Sequence, residues 1–136
     1  MAAVPRLLTA LVAAAVAVLA GCGGDDREEA QQTVREFVQA TDEHNADRFC
    51  GDLVTQEFLE QTTGATGEQA TGECRRQLRS TRGVDVRLVR IRRTEIDGDH
   101  ATVTAALEIQ GRRQTQVLRL EKEDGDWKLG GGGAAG

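Results

Sequence analysis

"VDVRLVRIRRTEIDGDHATVTAALEIQ", residues 84–110, is where the chain changes period. Val84 to Ile96 alternates apolar with charged residues, and a phase slip at Leu88-Val89 predicts a β-bulge. Asp97-Gly98 then supplies a hairpin turn. Residues 100–110 place Ala101, Val103, Ala105, Leu107 and Ile109 on one face, the period of a half-buried strand. Gln110-Gly111 turns the chain again, "RQTQVLRLEKE" (113–123) reads as a third strand, and Asp124-Gly125 is a third turn. "DWKL" (126–129) reads as a short fourth strand, and "GGGGAAG" (130–136) as a disordered tail.

Upstream of this meander the spacing is helical. In "DDREEAQQTVREFVQATDEHN" (25–45), Ala30, Val34, Phe37, Val38 and Thr41 follow one stripe, with Asp26 and Glu29 spaced as a capping pair. "NADRFCGDLV" (45–54) has Asn45 as a cap and turns Phe49, Cys50 and Leu53 inward. "TQEFLEQT" (55–62) adds a short helical piece carrying Phe58 and Leu59. Residues 63–72, "TGATGEQATG", read as a loop, and "ECRRQLRS" (73–80) as a last helical segment with Cys74 and Leu78 on one face. Helices first and an antiparallel meander afterwards define the α+β class, with the helices packed on a curved sheet of about four strands.

The opening of the chain is of another kind. Leu7 to Ala20 is an unbroken run of apolar or small residues behind Arg6. Fourteen helical residues would span about 21 Å at ~1.5 Å each, short of a ~30 Å hydrocarbon core. A signal-peptide core fits that length better than a permanent span. Leu19-Ala20-Gly21-Cys22 resembles the lipobox of bacterial lipoproteins. That resemblance implies a Cys22 sulfur alkylated by diacylglycerol, palmitate-type acyl chains, and cleavage just before Cys22. It places the protein on the outer face of the cell membrane. The chain then divides into a signal peptide (1–21), a lipid-anchored tether (22–27), a globular domain (28–129) and the tail (130–136).

An exported chain with Cys50 and Cys74 left over favours a disulfide between them. The competing uses are a metal site with His44 or a redox dithiol, but the first lacks a fourth ligand and the second lacks a CxxC spacing. Element order, together with "VREFVQATDEHNADRFCGDLV" (34–54), "IDGDHATVTAAL" (96–107) and "LRLEKEDGDWKL" (118–129), resembles the NTF2-like (cystatin-like) domains of exported actinobacterial lipoproteins. The resemblance implies a cone of helices on a curved sheet, closed by a hairpin whose Trp127 packs on the helix. Because the superfold hosts enzymes, binders and scaffolds alike, function has to be read from the site.

Composition narrows the function classes. Aromatic residues are 3% of the chain and the net charge is −5, which disfavours a nucleic-acid partner. His44 and His100 fall at element ends, and the inward positions of the cleanest strand cannot move a proton. No triad order, phosphate loop or metal spacing occurs, so the expectation is no catalytic residue, no cofactor and no metal. Residues 75–93 hold eight Arg against the single acid Asp85. One reading makes them solvated faces that pair with acids elsewhere. The other makes Arg87, Arg90 and Arg92 the contact for an anionic surface, lipid headgroups or an envelope polymer. The chain thus reads as a non-catalytic binding domain with three candidate partners: an anionic envelope polymer, a protein, or a small apolar ligand. The competing class is an NTF2-like enzyme acting on a small apolar substrate in its cone pocket.

Serine at position 22 offers no thioether, so Cys22→Ser should accumulate unprocessed precursor. The unsubstituted protein should enter the detergent phase on Triton X-114 partitioning, since two acyl chains give stable membrane residence. Recovery in the aqueous phase would contradict the lipid-anchor reading.

Overall fold

A computed structural model describes residues 22–81 and 84–135, so the signal-peptide reading of 1–21 lies outside the described residues. Helix α1 (Cys22–Asp42) is followed by a single turn α2 (Ala46–Arg48), a π-helical turn (Phe49–Leu53), α3 (Gln56–Thr63) and α4 (Gly67–Ser80). Four strands complete the domain: β1 (Val86–Asp97), β2 (His100–Ile109), β3 (Arg112–Glu123) and β4 (Asp126–Ala134). They form one open antiparallel sheet in the order β1-β2-β3-β4. The α+β class is therefore met. The tight connections follow from local chemistry: Gly98, Gln110-Gly111 and Asp124-Gly125 all take positive φ, the backbone that two-residue hairpins need.

Helix α1 packs against β1, β2 and β4. Ala30, Val34 and Val38 are buried as the spacing predicts, and Ala40 joins them. Under α1 the core is filled by Val34, Val54, Val103, Leu118, Leu120 and Trp127, with Phe37, Phe49 and Phe58 half-buried against it. The Phe37 and Phe49 rings meet at 5.0 Å between centroids. Burying each large side chain contributes about 1.5–3 kcal/mol, so this layer carries most of the domain's stability. Polar stitches fix α1 on the sheet. Arg27 donates to the Thr94 carbonyl at 2.6 Å, Gln31 to the Thr94 hydroxyl at 3.0 Å, and the Thr33 hydroxyl to the Trp127 carbonyl at 3.1 Å. At its other end the Asp42 carboxylate accepts from the Val86 amide at 3.1 Å, joining α1 to the start of β1.

Three expectations are corrected. Residues 22–27, assigned to a tether, belong to α1, and Asp26 lies within the helix bonded to Lys122 instead of capping it. The loop at 63–72 is mostly helix, because α4 begins at Gly67. Its Gly and Thr content hides a stripe of Ala70 and Cys74, both buried. The Glu60 carboxylate accepts from the Gly67 amide at 2.9 Å and Gln56 donates to the Gly67 carbonyl at 3.0 Å, so α3 sets where α4 starts. The Gly67 amide first, and then the Gln56 side chain donating to the same carboxylate at 3.1 Å, hold the Glu60 carboxyl below the usual glutamate range.

The third correction concerns the glycine run. Gly131, Gly132, Gly133 and Ala134 pair with Arg119, Leu118, Val117 and Gln116, so β4 runs well past Leu129 into the expected tail. Gly132 is where a side chain would be crowded: a Cβ there would stand 3.1 Å from a Leu118 methyl and 3.2 Å from the Val117 carbonyl, whereas Gly131 and Gly133 have nothing within 4 Å. Bare backbone lets β4 approach β3 there.

Cys50 and Cys74 meet at disulfide distance, Cα–Cα 5.9 Å, joining the π-helical turn to α4. A loop of this length closed in the unfolded chain is worth about 3 kcal/mol. The double variant Cys50→Ala/Cys74→Ala should therefore lose about that much in denaturant unfolding. An unchanged midpoint would contradict a structural bridge.

Candidate functional site: an arginine groove on the open sheet face

The helices cover one face of the sheet and leave the other to solvent. Strict alternation from Val86 would turn Arg90 and Arg92 inward with Leu88. The ladder avoids this with two register shifts, one between Leu88 and Arg90 and one between Ile91 and Arg93. Val86, Leu88, Ile91, Thr94 and Ile96 thereby stay on the core side, opposite Ile109, Leu107, Ala105, Val103 and Ala101. Val89, the first bulged residue, is pushed out and is 37% exposed. Arg92 is the second, left without a partner in the ladder.

Pairing then builds rows across the outer face. Arg87 lies opposite Glu108, and Glu108 opposite Arg113; in the next row Arg90, Ala106 and Thr115 stand side by side. Ala106 is the small residue on the central strand, so its row sinks between longer neighbours. The result is a depression of about 480 Å³ whose lining includes Val89, Arg90, Arg92, Ala106, Arg113 and Thr115. Two of the three arginines singled out from sequence, Arg90 and Arg92, are brought together here. Arg87 shares the face but is held to Glu108 at 2.8 Å and lies outside the groove. Arg113 was not singled out; counting back from the Gln110-Gly111 turn would have placed it opposite Glu108.

The arginine-rich block divides between its two readings. On α4, Arg75 and Arg79 stand 3.0 and 3.8 Å from the Asp47 carboxylate, and Arg76 pairs with Glu73. The Arg75 contact is close but lacks hydrogen-bond direction, leaving its Nε unsatisfied. On β1, Arg93 pairs with Glu95. Among the described residues no carboxylate lies within salt-bridge distance of Arg90 or Arg92, and Arg113 reaches only 4.0 Å from Glu108, which Arg87 already holds.

A larger groove of about 670 Å³ lies on the helical side, between α1, the π-helical turn and the β3–β4 hairpin. Glu29, Glu36, Asp47, Asp52 and Asp126 line it, with Arg48 their only cation there. Arg48 pairs with Glu36 at 3.0 Å, and the Gln32 amide first, then Arg48, holds the Glu36 carboxyl below its usual range. Among the described residues no group of three or more His, Cys, Asp or Glu is placed to hold a metal ion. His44 closes α1 at positive φ with its Nε2 3.0 Å from the Thr81 carbonyl, and His100 is exposed 3.7 Å from Glu121. Buried polar side chains among the described residues are Thr55 and Thr94; no Asp, Glu, His, Lys or Arg is among them.

The class these features define is an α+β domain with an open, arginine-bearing sheet face. No known family profile and no curated protein matches the sequence.

Trp127 forms the inner wall of the helical-side groove and carries the Lys122 ammonium 5.2 Å from its ring centroid. Lys122 also bonds Asp26 at 2.7 Å, joining the first turns of α1 to β3. That hydrogen bond holds the Asp26 carboxyl below its ordinary 3.8 and raises Lys122 above its ordinary 10.5. A lowered Asp26 contributes stability above 3.8 that is lost as pH falls through the folded value. A raised Lys122 contributes stability below 10.5 that is lost as pH rises through its own folded value. Lys122→Met should thus destabilise the domain at neutral pH, and the gap to the parent should close in acid below the ordinary aspartate value. Urea midpoints across pH check this, and a gap independent of pH would contradict it.

Proposed function

We propose that this protein is a membrane-anchored extracytoplasmic lipoprotein. In this reading its domain is a non-catalytic binding module that docks on an anionic surface of the cell envelope. The anchor reading rests on Leu19-Ala20-Gly21-Cys22 and the apolar run before it. The cysteine pair at disulfide distance fits an oxidising compartment. NTF2-like kinship remains part of the proposal, supported by the helices-then-meander order and by Trp127 packed under α1.

The observation that carries the docking reading is the meeting of Arg90, Arg92 and Arg113 on one open face. Uncompensated guanidinium groups attract anions, and an anionic surface is worth about 1 kcal/mol per basic side chain near it. Local environment supports the non-catalytic reading. The ionisable side chains of the described residues stay in contact with water, whereas proton-transfer groups gain their shifted pKa in dry clefts.

A lipid anchor would hold the protein on any vesicle, so the arginine face is read from the ratio of binding to anionic and neutral vesicles. The triple reversal Arg87→Glu/Arg90→Glu/Arg92→Glu should lower that ratio by about tenfold or more, and added salt should lower it for the parent. An unchanged ratio would remove the docking reading. Turnover of a small molecule abolished by one carboxylate substitution would overturn the non-catalytic one.

A further inference from the structure

The open face carries more arginines than the groove uses, and the difference between face and groove is informative. Arg87, Arg93 and Arg119 share the outer side with Arg90 and Arg113, so a diffuse positive field needs no depression at all. Yet a depression exists. It is made by two separate features: the β1 bulges, which push Val89 and Arg92 outward, and a small alanine on the central strand between Arg90 and Thr115. Among the described residues that line it there is no carboxylate, the nearest being Glu108, 4.0 Å from Arg113. Thr115 offers a hydroxyl beside three guanidinium groups.

We propose that this groove is a discrete binding site for a phosphoryl oxyanion, seated over Ala106 and held by Arg90, Arg92 and Arg113. The proposal rests on the reading of this face as a docking surface and names what it recognises there. Guanidinium groups present planar forks of donors that match the oxygen spacing of phosphate, and the Thr115 hydroxyl supplies a further donor. Arginine, unlike lysine, gives this geometric selectivity along with charge. The floor is a methyl group, so the ligand enters only as far as Ala106 permits, which makes the site sensitive to shape. A phosphomonoester and the phosphodiester of a lipid headgroup or polymer present the same chemistry, and the groove is open enough to admit either end-on.

The test uses the full chain in a neutral detergent, titrated with inorganic phosphate and separately with the soluble diester glycerophosphoglycerol. The readout is the NMR signals of the arginine Nε–H groups. At least one probe should shift the signals of Arg90, Arg92 and Arg113. Arg90→Gln and Arg113→Gln should each weaken that binding by about tenfold, the loss of one charge-assisted hydrogen bond. Ala106→Leu should abolish it with no change of charge, while Arg119→Gln, on the same face but outside the groove, should leave it intact. Phosphate alone binding assigns a free or terminal phosphoryl group, and diester binding assigns a headgroup or chain phosphate. Binding that Ala106→Leu leaves unchanged, and that Arg119→Gln weakens as much as Arg113→Gln, overturns the discrete site while leaving the anionic docking face standing. No shift with either probe at millimolar concentration also overturns the site. A lost preference for anionic vesicles in the triple reversal is a separate result that bears on the docking face alone.

Discussion

An extended strand sends successive side chains to opposite faces, and β1 cannot obey that rule along its length without burying arginine. A guanidinium group taken into the apolar core without a partner would cost several kcal/mol, more than a small domain can spare. Two bulges resolve the conflict by spacing the inward residues two, three, three and two apart, from Val86 through Leu88, Ile91 and Thr94 to Ile96. Everything else on the sheet depends on that accommodation. It keeps the β1–β2 interface apolar inside, closes the layer under α1, and delivers Arg90 and Arg92 to solvent on the far side.

The inner and outer faces consequently do different work. Inside, Val34, Val103, Leu120 and Trp127 interlock with the half-buried phenylalanines, and the bridge between Cys50 and Cys74 holds the helical turns in place. Position matters there more than chemistry. Outside, the central strand presents Thr102, Thr104, Ala106 and Glu108 between the charged edges of β1 and β3. The small residues let long arginine side chains converge above them. The acidic groove on the helical side gives the domain an opposite pole, so an anionic surface would orient the protein as well as attract it.

Much of this was legible in the chain. Hairpin turns at Gly98, Gln110-Gly111 and Asp124-Gly125, the first bulge, the α1 stripe and the cysteine pair all follow from local rules of period and turn chemistry. What escaped depended on partners distant in sequence. The glycine run has no propensity for a strand; it becomes one because β3 offers a ladder, with Leu118 and the Val117 carbonyl close above Gly132. Helix α4 starts early because Glu60 and Gln56 of α3 hold Gly67. Asp26 is not a cap because Lys122, nearly a hundred residues later, claims its carboxylate. The groove itself was half visible. Arg90 and Arg92 stand out by composition, whereas Arg113 and the Ala106 floor emerge only from cross-strand register.

The central claim is that the double-bulged strand turns the outer sheet face into the working surface. Amide hydrogen exchange of the full-length protein on anionic vesicles, compared with neutral vesicles, tests it most directly. Slower exchange confined to β1 and the β2–β3 hairpin around residues 86–93 and 106–115 is the predicted result. Slowing instead along α1 and the π-helical turn, around the acidic groove, with β1 unaffected, would contradict it.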